Sequence, residues 1–424
     1  TNTGNDTVTA GDGNDVVNMD SALSALDVVS GGAGTDTIAI DAAATAVTAV
    51  GVTGFERLRL DTGATQDMTL FTNNSTFDSL DSNGVASVFT NVGAGVTTLH
   101  NTASGSTASI TRLVDSTTNA LTIVAQDTTT GSEGATAFTT VTANNEETIT
   151  LTSGSNAAET LTITTLAASD LTTVIMTGTA AVVVTNAVTG GTAVASVDST
   201  ALAGAATFSA ANSTVAVTMT AGAGGATFTG GVGADTLTGG AGTNVLNGGA
   251  GNDVIVGGAS ADTAITGGFG ADTITGGAGD DNFVQTDLHG VTATAVIDAS
   301  TGNAMAATVT FAVGDSIVYG NGIDVYTDFT AGGTVDDIDT FVAGAPTSLI
   351  GVAHDQLNAA DDINFLSGSW NTSTNTFTIA ADGVGADTLI VSIDESVAES
   401  IDNTQNAFIL QGVDSDDLVA ADFI

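Results

Sequence analysis

The chain has no cysteine and no lysine among its 424 residues, and a single proline, Pro346. Without cysteine no disulfide framework is available, so the fold needs another staple. Three arginines (Arg57, Arg59 and Arg112) stand against 47 acidic residues, for a formal charge of −44. Nucleic acid and anionic lipid both require a positive surface, so both are poor partners. Aromatics are also scarce, and an acidic chain poor in aromatics is often disordered. Here 42% of residues are hydrophobic and only 12% charged, too apolar for a solvating chain. No apolar run reaches membrane-spanning length, because Thr, Gly and Asn dilute the richest stretches. There is no initiator Met or signal peptide, and the sequence opens inside a repeat, as expected of a fragment or a processed product.

What is present is repetition. From Gly230 to Val284 the sequence tiles in nines: GGVGADTLT, GGAGTNVLN, GGAGNDVIV, the ten-residue GGASADTAIT, GGFGADTIT and GGAGDDNFV. Each unit reads Gly-Gly-x-Gly-x-Asp-x-U-x, with U a large apolar residue (Leu237, Leu246, Ile255, Ile265, Ile274, Phe283). Residues 1–40 follow the same rule in TNTGNDTVT, AGDGNDVVN, an expanded unit ending at Asp27-Val28-Val29, and GGAGTDTIA. Glycines permit tight or left-handed turns, and the x-U-x that follows is a short strand with one inward side chain. Stacked coils bury a column of U residues at roughly 1.5–3 kcal/mol per fully buried side chain. Two nonapeptides, one per edge, close one coil.

Residues 41–220 lose the glycine frame but keep strand-like alternation of apolar residues with Thr, as in ETITLTS and AVVVTN. A looser period near twenty links Phe55-Glu56-Arg57-Leu58 to Phe77-Asp78-Ser79-Leu80, and Asp170–Val174 to Val194–Asp198. The fold expected is all-β: a right-handed parallel β-solenoid with nonapeptide blocks at 1–40 and 221–284 and a wider β-helix over 41–220. Residues 285–424 hold Trp370, Tyr319, Tyr326 and Pro346 and one stray unit, DGVGADTLI. They are expected to form a capping β domain over the exposed terminal coil.

The nonapeptides resemble the RTX repeats of proteins exported by Gram-negative type I secretion. The segment Asp324-Val325-Tyr326-Thr327-Asp328-Phe329, followed by Asp336-Asp337-Ile338-Asp339, is similar to the closing segment of RTX β-rolls. The ending Leu418–Ile424 resembles their uncleaved export signals, and the Thr/Ala-rich middle looks like bacterial surface-layer proteins of the Caulobacter type. The resemblance implies a secreted, cell-surface protein.

The turns point to Ca²⁺, a hard cation that takes six to eight oxygens from carboxylates and carbonyls. A glycine-rich turn exposes carbonyls, and the following Asp adds a carboxylate. Aspartates eighteen or nineteen residues apart fall on one edge of successive coils, about 4.8 Å apart. Asp235, Asp253 and Asp272 form one such row, and Asn244, Asp262 and Asp281 the other. The site is expected to weaken at Asn244, and Ser260 with the extra residue is expected to displace Asp262 from ideal geometry. In the first block the expected ligands are Asp6, Asp15, Asp27 and Asp36, with Asp387 added from the stray unit. Asp328, Asp336 and Asp339 are ligands only on the resemblance. Bare carboxylates about 5 Å apart repel by roughly 3 kcal/mol at an effective dielectric near 20, and a bridging ion reverses that sign. Several Ca²⁺ ions are therefore expected to bind cooperatively and to trigger folding outside the cell.

Catalytic patterns are missing. His100, His289 and His354 are far apart and none lies in HExxH, and there is no GxSxG elbow. Arg57 and Arg59 read as surface residues on a strand edge. No enzymatic activity is expected. The expected role is a structural subunit of a bacterial surface layer, self-assembling into a lattice through Ca²⁺ between copies. An upstream region would anchor it to lipopolysaccharide. The rival reading is a secreted RTX adhesin or biofilm-matrix protein.

Overall fold

A computed structural model describes residues 4–19, 23–125, 135–285, 295–297, 304–305, 312–331, 337–339, 350–351, 363–381, 383–393, 404–418 and 422. The chain divides into two compact units, Thr1–Val215 with Ala221–Gly224, and Ala216–Thr220 with Gly225–Ile424. The all-β expectation holds. Among the described residues the regular elements are strands and three-residue 3₁₀ turns such as Ala49–Gly51. Among the described residues no helix is long and apolar enough to cross a membrane.

The first unit is a stack of parallel coils. One sheet runs through Val16–Met19, Thr37–Ile40, Arg57–Leu60, Ser79–Asn83, Thr98–Ala103, Ala120–Ala125, Thr148–Thr152, Thr173–Thr177 and Ser196–Asp198, each pairing in parallel with the next. A second sheet stacks Ala64–Asp67, Ala86–Val92, Ser106–Arg112, Thr136–Thr142, Leu161–Ala167, Val182–Val184 and Ala206–Ser209 in the same way. Alternation explains the register, because every second side chain turns inward. Val17, Ile38, Leu58, Leu80 and Leu99 occupy one row, and the last four are fully buried. The coils here are wide and uneven, from 19 residues between Ser79 and Thr98 to 33 between Thr107 and Thr140.

One sequence reading needs correction. Arg57 and Arg59 are not at a strand edge, since Arg57–Leu60 lies between Thr37–Ile40 and Ser79–Asn83. The cause is the same alternation: Leu58 and Leu60 point inward, so the arginines stand on the outer face in mid-sheet. Arg59 chelates Asp61 through Nε (2.6 Å) and Nη2 (2.9 Å), and Arg57 Nη2 lies 3.1 Å from His100 Nε2. Arg112 is buried and saturated. It meets both oxygens of Glu146 and donates to the carbonyls of Gly93, Val96 and Ala120.

In the second unit the coils tighten to 18 or 19 residues. Met219, Leu237, Ile255, Ile274 and Tyr326 stack in one column. Phe228, Leu246, Ile265 and Phe283 stack in the other. All nine are at most 1% exposed, so the U positions are the core. Beyond the repeats, Asp324–Tyr326 adds in parallel to Thr273–Gly277 and is itself flanked by Thr404–Gln411. From there pairing turns antiparallel, through Asp387–Ile393, Ile363–Asn371, Thr376–Ile379 and Ser316–Val318. This sheet has its own core around Tyr319, Leu366, Phe377, Leu389 and Ile409, with Trp370 packed against it.

Candidate calcium-binding ladder

The sixth residue of each nonapeptide ends the glycine turn and enters the strand. There its carboxylate faces the backbone of the coil before it. In the second unit Oδ1 of Asp253 accepts the Asp235 N–H (2.7 Å), and Oδ1 of Asp272 accepts that of Asp253 (2.8 Å). On the other edge Asp262 accepts from Asn244 (2.8 Å) and Asp281 from Asp262 (2.9 Å). The two rows expected from spacing are therefore continuous ladders. The first block repeats the device, with Asp27 accepting from the Asp6 N–H (2.9 Å) and Asp36 from that of Asp15 (2.8 Å).

Asp253, Asp262 and Asp272 each use one carboxylate oxygen for the rung, whereas Asp235 accepts through both, from Val217 and Gly231. The second oxygen, Oδ2, is buried without a hydrogen-bond partner at Asp6, Asp15, Asp36, Asp253, Asp262 and Asp272. A buried polar atom left unbonded costs about 1–3 kcal/mol, and more for a charged group. The surroundings make the same point. A Cβ on Gly248 would overlap both Asp253 Oδ2 and the Gly267 carbonyl oxygen. One on Gly257 would overlap Asp262 Oδ2 and the Gly276 carbonyl oxygen. Glycine thus keeps open a cradle into which a carboxylate and a carbonyl of the next coil both point. Oxygens converging with no donor between them are the donor set of a hard divalent cation, so the residues fit Ca²⁺.

Electrostatics agrees. Burial, reinforced by the charges of Asp272 and Asp235, pushes Asp253 up to about 7. Burial and then the neighbouring Asp324 raise Asp272 to about 7 as well. Burial also raises Asp235 and Asp262. Asp27 departs from the pattern. Burial pushes its carboxyl up, but the Asp6 and Ser24 N–H groups and the Ser24 hydroxyl outweigh it, for a net lowering. Ser24 Oγ and N lie 2.8 and 2.7 Å from the two Asp27 oxygens, so the expanded unit supplies its own donors.

The remaining expected ligands are scattered. Asp328 accepts from the Gly276 and Gly277 N–H groups, both at 2.8 Å, and so seats on the last nonapeptide turn. Asp387 is elsewhere, in an antiparallel strand, where its oxygens accept from Trp370 (2.7 Å) and Gly412 (3.0 Å). Among the described residues, 383–390 of the stray unit therefore form no coil with the other nonapeptides. For Asp339 the strand Asp337–Asp339 pairs with Asn282–Val284, and Asp336 lies outside the described residues.

Two rungs escaped the sequence reading. Glu56 Oε2 accepts the Asp36 N–H (2.8 Å), and Asp324 Oδ1 accepts that of Asp272 (2.9 Å). Both stand two residues before an inward apolar residue, Leu58 and Tyr326, the same acid-x-U spacing as the repeats. Asp324 Oδ2 is held by Gln285 Nε2 (3.1 Å), and burial raises the carboxyl to about 6.

The RTX calcium-binding nonapeptide repeat matches in four copies, at residues 1–20, 25–39, 229–264 and 264–284. RTX nonapeptide repeats bind multiple Ca²⁺ ions, and proteins that carry them are typically secreted and extracellular. No curated protein matches the chain. Among solved structures, a subunit of the Azotobacter vinelandii mannuronan C5-epimerase, determined in solution, is 18% identical. That match covers 52% of this chain and 78% of the other at a TM-score of 0.21.

Proposed function

We propose that this chain is a non-catalytic, calcium-dependent building block of a bacterial surface layer, folded and joined to its copies outside the cell by Ca²⁺. The observation that carries this reading is where the positive charge goes. Arg112 is buried on Glu146 and three carbonyls, Arg59 is clasped by Asp61, and Arg57 lies against His100 and Ser79. With no lysine and a net charge of −44, the molecule has little cationic surface to offer another copy. Contacts between copies then need cations from solution. Exposed acids outside the ladders, such as Asp416 and Asp417, are suited to share them. Asp361 and Asp362, acids of the same C-terminal region that belong to no repeat, lie outside the described residues. An upstream segment bound to lipopolysaccharide would hold the lattice to the cell.

Electron microscopy of purified protein at micromolar and millimolar Ca²⁺ tests the proposal. Ordered two-dimensional arrays only at the higher concentration are the expected result. Folded monomers that stay dispersed at millimolar Ca²⁺ and high protein concentration overturn it and favour the adhesin.

A further inference from the structure

One rung of the second ladder is unlike its neighbours. Asn244 occupies the sixth position of its nonapeptide and is fully buried. Its Oδ1 accepts from the Ala226 N–H (2.8 Å), the bond each ladder carboxylate makes to the coil before it, and also from the Gly240 N–H (3.2 Å). Its Nδ2 faces three oxygens: Gly242 O at 2.7 Å, Asp262 Oδ1 at 2.9 Å and Gly257 O at 3.0 Å. The opposite amide orientation would set oxygen against those three acceptors, so the bonding fixes the side chain as described.

This nitrogen stands where the other rungs place Oδ2. A Cβ on Gly239 would overlap Asn244 Nδ2 and the Gly257 carbonyl. The equivalent Cβ on Gly248 would overlap Asp253 Oδ2 and the Gly267 carbonyl. The cradle is the same, but a donor has replaced an acceptor. From this we infer that the Asn244 amide takes the place of a Ca²⁺ ion, making this rung a metal-free step inside a calcium ladder. Residue 244 then sets how many ions the second block holds, and gives it one inter-coil joint that closes before any calcium arrives. The inference rests on calcium binding by the repeats and is independent of lattice assembly.

The probe is Ca²⁺ itself, titrated calorimetrically into the full chain, with thermal melting in calcium and in chelator. Asn244→Asp restores the acidic rung. It is expected to raise the stoichiometry by about one ion and to enlarge the drop in melting temperature caused by chelator. Asn244→Ala removes the donor without supplying a ligand. It is expected to keep the parent stoichiometry while melting lower in both conditions. An Asn244→Asp protein that folds in calcium yet binds no additional ion overturns the inference. So does an Asn244→Ala protein that loses an ion, because Asn244 would then be a ligand. Should Asn244→Asp fail to fold even in calcium, Asp262→Asn decides. Loss of about one ion with a smaller chelator effect supports the inference, and unchanged stoichiometry refutes it.

Discussion

The nonapeptide coils of the second unit and the glycine-poor coils of the first stack strands in the same parallel way, yet close their corners with different chemistry. In the first unit an amide bonds both backbone groups of a residue one coil earlier. Asn74 Oδ1 accepts the Phe55 N–H and its Nδ2 donates to the Phe55 carbonyl, both at 2.8 Å. Gln66 accepts the Ala44 N–H (2.7 Å) and turns its Nε2 towards the Ala44 carbonyl (3.5 Å). A carboxylate at such a corner satisfies only the donor, leaving an oxygen and a carbonyl face to face. Amide corners are complete when the chain folds. Carboxylate corners whose second oxygen finds no donor, as at Asp253, Asp262 and Asp272, are complete only with a cation, and this makes one part of the molecule conditional on its surroundings.

The largest test of that contrast is removal of the ion. In chelator, the amides of Leu246, Ile255 and Ile274 are expected to lose hydrogen-exchange protection by on the order of 100-fold or more, since each uncompensated carboxylate pair opposes folding by about 3 kcal/mol. Amides of Ile149, Leu151 and Val174 should change little. Equal loss at both sets would erase the distinction between conditional and unconditional coils.

Next in size is Arg112, which does for the first unit what ions do for the second. Its guanidinium joins Glu146 to three carbonyls at 2.5–3.2 Å. Arg112→Ala strands a buried carboxylate and is expected to cost about 3–5 kcal/mol, read by denaturant unfolding. Calcium stoichiometry should not move. A replacement of both partners by apolar residues should recover much of the loss, and if it does not, packing rather than charge explains the site.

Protons offer a gentler probe. Burial and neighbouring carboxylates raise Asp253 and Asp272 from near 3.8 to about 7 in the folded, ion-free protein. A carboxyl whose folded value lies above its unfolded one contributes stability fully below about 4, and loses it as pH rises through about 7. In chelator, the second unit should therefore melt several degrees higher at pH 5 than at pH 8. Calcium needs the ionised form, so in saturating calcium the order should reverse or flatten. A chelated protein that is more stable at pH 8 contradicts the buried-carboxylate picture.

Much of this architecture was legible because its signals are periodic. The nine-residue phase placed the buried U columns and both acidic rows, and the match of Phe55–Leu58 to Phe77–Leu80 gave the register in which Leu58 pairs with Leu80. Aperiodic features stayed hidden. Asp324 follows Asp272 by 52 residues, so no spacing rule reaches it, although Asp-x-Tyr mimics the repeat. Arg112 and Glu146 are 34 apart on coils of unequal width, and only the folded stack brings them together. Arg57 and Arg59 were misread because the alternation that places two charges on an outer face is identical for edge and central strands. Asn244 read as a weakened acid, since a sequence shows the missing charge but not the three acceptors its nitrogen finds.

The finest test converts an amide corner into a carboxylate one. Asn74 is 5% exposed and meets Phe55 through both of its polar atoms. Asn74→Asp keeps the acceptor for the Phe55 N–H and deletes the donor for its carbonyl, at an expected cost of about 1–3 kcal/mol. The decisive comparison is with Asn244→Asp, the same chemical change inside a nonapeptide. At Asn244 paired glycines leave a cradle into which an ion fits, so calcium should restore stability. At Asn74 the facing residue is Phe55, which belongs to no Gly-Gly turn, and millimolar calcium should restore nothing. Thermal melts of both variants with and without calcium give the answer. Rescue of Asn74→Asp by calcium would show that a buried carboxylate opposite a carbonyl suffices to recruit the ion, and that the glycine frame is needed only for the turn.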